Sequence, residues 1–186
     1  MRYFSLGLAL LAALTLGCCA SPQYNSELFR AQASSPYQLA SGDRLRVIVF
    51  GQDSLTNSYS VDGVGNISMP LIGSVKAYGL TTAQLEASLA AKLRNGFLRD
   101  PQVAVEVEAF RPFFVLGEVQ TAGQYPFING MTVQNAVAVA GGFTARGNQS
   151  GADITRLVNG RSVTGWVPLA FPVRPGDTVT VHERFF

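Results

Sequence analysis

The chain has 186 residues, room for one domain or two small ones, and its 14 Lys and Arg stand against 12 Asp and Glu for a formal charge of +2. That balance, with no basic run anywhere, excludes a dedicated nucleic-acid binder. A single histidine, His182, argues against a multi-histidine metal site and leaves a histidine-based triad one candidate base, so neither a metal nor a cofactor is expected. Hydrophobic residues at 47% with 19 glycines fit a compact, turn-rich, β-containing protein and not an enzyme of obvious type.

Arg2 precedes an uncharged apolar run, Phe4 to Leu16. Crossing a membrane takes about 20 apolar residues, so this run has the length of a secretory signal core. Residues 1–17 are therefore expected to be a signal peptide. Leu14-Thr15-Leu16-Gly17-Cys18 resembles the bacterial lipobox, which makes Cys18 the expected lipidation site. Cys19 is the alternative acceptor, at the cost of placing a cysteine where a small residue is usual. Two adjacent cysteines cannot staple distant parts of one chain. A diacyl group with an N-acyl chain exceeds the two-signal threshold for stable anchoring. No Asp follows Cys18, and similarity to Gram-negative lipoproteins then implies the outer membrane, on its periplasmic side. Residues 18–36, polar and aperiodic, read as a lipidated tether.

From Tyr37 the pattern becomes regular. Arg44 to Phe50 is a β-branched, apolar strand entered through the turn Ser41-Gly42-Asp43. Gln52 to Gly65, with Gly63 and Gly65, suggests a hairpin. Asn66 to Val75 reads as short extended pieces that Pro70 confines to an edge or bulge. Thr81 and Gln84 form a capping box for a helix whose Leu85, Leu89 and Leu93 share one face, ended by Asn95-Gly96. Val103, Val105 and Val107 alternate with polar or small residues as a strand with one buried face. The first domain is expected over residues 37–109.

The second, residues 112–186, opens with strands Phe113 to Val119 and Gln124 to Ile128. Thr132 caps a helix through Ala140, stopped by Gly141-Gly142. Asn159-Gly160 marks a hairpin between Ile154–Val158 and Val163–Val167. Pro175-Gly176-Asp177 then launches the strand Thr178 to His182. The pairs Gly42-Asp43 and Gly176-Asp177 echo each other as shared turn chemistry. The fold class is α+β: two small mixed domains.

Little in this pattern carries catalysis. Gly63-Val64-Gly65-Asn66-Ile67-Ser68 lacks the third glycine of a dinucleotide loop, and no helix follows it. Asp43, Asp62, Glu118 and Asp177 sit beside turns, where capping of backbone amides is the ordinary role. No pair of them is placed by the sequence as a glycosidase needs. His182 has no evident partner and reads as a surface residue. Trp166, Tyr59, Tyr78 and Tyr125 belong to two possible classes, core packing or stacking on sugar rings, with packing the commoner use of single aromatics in strands.

Tyr37-Gln38-Leu39-Ala40-Ser41-Gly42-Asp43-Arg44-Leu45-Arg46-Val47 resembles the opening of the bacterial polysaccharide biosynthesis/export family. The likeness continues through Val61-Asp62-Gly63, Gly65 to Gly73, Ala77 to Thr81 and Asp100 to Val105. In the second half, Val115 to Val119, Gly123-Gln124-Tyr125, Ala140 to Phe143 and Pro175 to Val179 are similar to a soluble ligand-binding β-grasp domain. The resemblance implies a non-enzymatic role in moving capsular or exopolysaccharide to the cell surface. It also implies a polysaccharide chain and an inner-membrane polysaccharide co-polymerase as partners, and assembly as a homo-oligomeric ring. Larger members end in an amphipathic helix that forms the pore. With the chain ending at Phe186, a separate outer-membrane pore protein is expected. A monomeric glycan-binding lipoprotein is the alternative reading, and a closed ring interface would discriminate the two.

Overall fold

The computed structural model describes Phe29, residues 35–158 and residues 160–184. The signal run, Cys18, Cys19 and the Phe185-Phe186 end lie outside the described residues.

In the first half, strands β1 (Arg44–Val49), β2 (Asn57–Ser60) and β5 (Val103–Ala109) form an antiparallel sheet in the order β2-β1-β5. Strands β3 (Asn66–Met69) and β4 (Gly73–Lys76) make a separate hairpin. Helix α1 (Thr82–Arg94) has the expected capping box between Thr81 and Gln84, and Asn95 caps its end. The strict alternation of β1 buries Leu45, Val47 and Val49, and these meet the fully buried Leu85, Leu89 and Leu93 of α1 in one core. Each such leucine removed from water contributes about 1.5–3 kcal/mol.

The second half holds strands β6 (Phe113–Gly117), β7 (Gly123–Tyr125), β8 (Gly151–Val158), β9 (Arg161–Pro168) and β10 (Thr178–Val181), with helix α2 (Val133–Val139) between β7 and β8. The sheet order is β7-β6-β10-β8-β9, and β10 runs parallel to β6 while its other pairings are antiparallel. Placing the last strand in the middle, beside the first, gives a β-grasp arrangement. Helix α2 lays Val133, Ala136 and Val137 onto the inner face of this sheet, against Val115, Ile154 and Val179. The two halves thus build two cores, an α+β chain of two small mixed units.

Several local expectations shift. Gly63 and Gly65 do not close a hairpin: β2 pairs back onto β1 and β3 pairs forward onto β4, so the glycines turn the chain between two hairpins. Pro70 stands in the turn after β3, not in a strand, and the following Leu71 adopts a φ of 71°. Strand β7 stops at Tyr125 because Pro126 has no N–H to continue the ladder. Strand β6 ends at Gly117, whose φ is +85° and where an added Cβ would sit 2.0 Å from the Val181 carbonyl oxygen. No other residue fits that close approach of β6 and β10.

Phe29 is the largest surprise. It falls in the stretch read as a tether, yet it is fully buried in the core of the second half. Its ring meets Phe171 edge-on at 6.3 Å, and it occupies the space over Gly165 where any Cβ would collide with it at 2.6 Å. A large apolar ring gains too much from burial to remain in water once a glycine leaves it a slot.

Candidate functional site

The two Gly-Asp turns are built alike. The Ala40 N–H donates to Asp43 Oδ2 at 2.8 Å, and the Arg174 N–H donates to Asp177 Oδ2 at 2.7 Å. The Asp43 N–H closes onto the Ala40 carbonyl, and the Asp177 N–H onto that of Arg174, each at 3.1 Å. Both carboxylates are buried, which the turn chemistry alone did not foretell.

Between the turns lies Arg111. Its backbone N–H donates to Asp43 Oδ1 at 2.9 Å, and its Nη1 donates to the Tyr37 hydroxyl oxygen at 3.0 Å. The Tyr37 hydroxyl in turn donates to Asp43 Oδ2 at 2.6 Å. A Cβ on Gly42 would touch Arg111 Cβ at 3.4 Å, and one on Gly176 would strike Arg111 Nε at 2.5 Å. Both glycines therefore leave room for this one arginine. Burial, and then the hydrogen bond to the Asp43 carboxylate, push the Tyr37 phenol far above its ordinary pKa, so it remains a neutral donor.

Asp177 receives Arg156 as a two-pronged pair, Nε at 2.8 Å and Nη2 at 2.7 Å. The guanidinium sits 5.4 Å from the Phe29 ring centre and 6.0 Å from that of Phe171. The Asp177 carboxylate is taken up by internal partners, while Arg156 Nη1 is buried with no hydrogen-bond partner; the pair serves the fold.

The remaining carboxylates divide. Asp62 caps the Val64 and Asn66 amides through Oδ1 at 2.9 and 2.8 Å, as its turn position predicts. Glu118 does not cap an amide; its carboxylate accepts from the Thr144 hydroxyl at 2.5 Å. His182 has a partner after all, since its Nε2 lies 2.7 Å from Asp153 Oδ2. That contact joins the end of β10 to β8 across the sheet, a juxtaposition no local pattern reveals. Among the described residues no group of three metal-ligating side chains forms. No helix among them is long and apolar enough to cross a membrane.

The aromatics separate by exposure. Tyr59 is buried and donates to the Leu55 carbonyl at 2.8 Å. The Tyr125 hydroxyl donates to the Thr121 carbonyl at 2.5 Å. Tyr78 and Trp166 are exposed, at 44% and 38%. Trp166 lies on the outer face of the β-grasp sheet, opposite the face that α2 covers. Strand register places Leu116, Thr180, Asp153 and Trp166 in one row across four strands of that face. The neighbouring row runs Gln124, Phe114, Thr178, Thr155 and Thr164 across all five.

Residues 31–108 match the family model described as polysaccharide biosynthesis/export protein, and residues 112–166 match the SLBB domain. The chain belongs to the polysaccharide biosynthesis/export family. It is similar to the exopolysaccharide production protein ExoF of Rhizobium meliloti, 34% identical over 76% of this chain and 34% of that protein. It is also similar to the EPS I polysaccharide export outer membrane protein EpsA of Ralstonia nicotianae, 28% identical over 81% of this chain and 48% of the relative. The polysialic acid transport protein KpsD of Escherichia coli is 29% identical over 57% of this chain and 19% of its own length. The chain thus spans half or less of the length of these curated relatives.

Proposed function

We propose that this protein is a non-catalytic component of polysaccharide export, anchored by lipid at Cys18 to the periplasmic side of the outer membrane. In this reading it assembles as a homo-oligomeric ring and guides a capsular or exopolysaccharide chain toward the cell surface. The observation that carries the proposal is the succession of an export domain and an SLBB domain in one chain. The names of the relatives agree with it, since they speak of exopolysaccharide production, polysaccharide export and polysialic acid transport. The Arg111 side chain, packed against the Gly42 turn of one half and the Gly176 turn of the other, supports it physically. A ring needs a heterologous interface repeated at a fixed angle, and a subunit whose halves are pinned together can hold that angle. An inner-membrane co-polymerase is the partner this role calls for.

The test is surface polysaccharide in a strain lacking the protein, with complementation by the full-length chain. Loss of the surface polymer, restored by the wild-type chain, is the expected result; unchanged polymer overturns the export role. The exposed Trp166 face favours a second reading, a monomeric glycan-binding lipoprotein. Light scattering on the lipidated protein in detergent separates the two, because a ring has several times the monomer mass.

A further inference from the structure

We propose that the outer face of the β-grasp sheet is a binding platform for uncharged sugar residues, with Trp166 as the stacking surface and Asp153 as the hydroxyl acceptor. The proposal deepens the export reading by locating polymer contact on a specific surface.

Trp166 does not stand up from the sheet. An added Cβ on Gly151 would lie 2.5 Å from Cζ2 and 2.7 Å from Cε2 of the indole, so the ring is laid over the glycine. One side of the indole is thereby packed on backbone, and the 38% of the residue left exposed faces outward. A supported, flat aromatic surface suits the apolar C–H face of a pyranose ring.

Asp153 is directly opposite Trp166 in the β8–β9 register. His182 engages its Oδ2, while Oδ1 is shut off from solvent and has no hydrogen-bond partner. A carboxylate oxygen left unpaired below the surface is an acceptor waiting for a donor. Exposed His182 sits at the end of the sheet, and a hydroxyl taking its place beside Asp153 would meet this carboxylate. One row further, Thr155 and Thr164 pair their hydroxyls at 2.8 Å and supply groups that both donate and accept. From β7 to β9 the face spans four strand spacings, about 19 Å, enough for several sugar rings in line. A hydroxyl acceptor that carries negative charge selects against acidic sugars, and this fixes the ligand class as neutral.

Trp166 is the sole tryptophan of the chain, so its emission reports on this face alone. The full-length lipidated protein, held in a detergent without a sugar head group, is titrated with cello-, laminari- and galacto-hexaose, and with oligogalacturonate. The expected result is a saturable change in emission with at least one neutral hexasaccharide and none with oligogalacturonate. Asp153→Asn should weaken that binding about tenfold, the loss of one charge-assisted hydrogen bond. Trp166→Phe, followed by calorimetry, should weaken it severalfold while the thermal midpoint stays near that of the wild type. No saturable change with any neutral glycan, or affinity unaltered in both variants, overturns the platform. An emission change that follows protein concentration, with a rise in mass, also overturns it and assigns the face to a second copy of the chain. The export reading is decided separately, by the surface polymer of the deletion strain, so either proposal can fail alone.

Discussion

The backbone N–H of Arg111 donates to Asp43 Oδ1 at 2.9 Å across 68 residues of sequence. That bond binds the end of the first half to its own entry turn, and the Arg111 side chain then lies against the turn that opens the last strand of the second. Asp43 thus serves a local turn through Ala40, a neighbouring phenol through Tyr37, and a distant segment through Arg111.

Asp43→Ala removes the acceptor of three hydrogen bonds from a fully buried position and leaves their donors unpaired. The expected loss is about 3 kcal/mol or more, read as a lower urea midpoint. Asp43→Asn keeps the shape and part of the bonding, and should fall between the two. A midpoint for the alanine variant within error of the wild type would refute the central role given to this carboxylate.

Tyr37 makes the junction sensitive to alkali. Its folded pKa is raised, chiefly by burial, whereas the unfolded phenol titrates near about 10. Above that value the unfolded chain sheds a proton the folded chain retains, so stability is full below it and falls as pH rises. Urea midpoints between pH 8 and 11 should therefore decline more steeply in the wild type than in Tyr37→Phe. Parallel declines would show that the phenol does not hold its proton as described.

Arg156 and Phe29 should behave as one unit. Arg156→Met strands the buried Asp177 carboxylate and should cost about 3–5 kcal/mol. Phe29→Ala opens a cavity beside the guanidinium and removes a stacked ring, with a similar cost of about 3–5 kcal/mol. Because the two side chains touch, the double variant should lose less than the two single losses added together. Simple additivity in a double-mutant cycle would mean that the ring and the guanidinium are energetically independent.

Cys18→Ser tests the anchor. The variant should fold normally but appear in the soluble periplasmic fraction, because a hydroxyl does not accept the thioether-linked lipid. Unchanged recovery with the outer membrane would reject Cys18 as the acceptor, and Cys19→Ser is then the variant to compare.

What could be read from the sequence was whatever repeats at short range. Thr81 with Gln84 caps its helix by a three-residue contact, Thr132 marks the start of the second helix, and the alternation of Leu45, Val47 and Val49 declares a buried face. The Gly-Asp turns were visible for the same reason. The contacts that matter most for the site were invisible. Asp153 and His182 are 29 residues apart, and Arg111 meets Asp43 across 68 residues because β5 pairs with β1 beside the entry turn. Phe29 sits in a polar stretch with no periodicity, and nothing local marks Gly165 as its slot. Pairing at a distance depends on strand order, which no window of neighbouring residues contains.

The burial of Phe29 also determines where mechanical load enters the molecule. Tension from the amino-terminal direction reaches Phe29 before it reaches Tyr37, and is borne by Phe171, Gly165 and the Arg156–Asp177 pair. The described residue nearest the amino terminus is therefore fastened into the unit that comes last. A chain emerging from synthesis or secretion amino end first has nowhere to lodge this ring until β9 has been delivered. A protein tethered through that end would be loaded through its carboxy-terminal unit, with the export domain spared the strain.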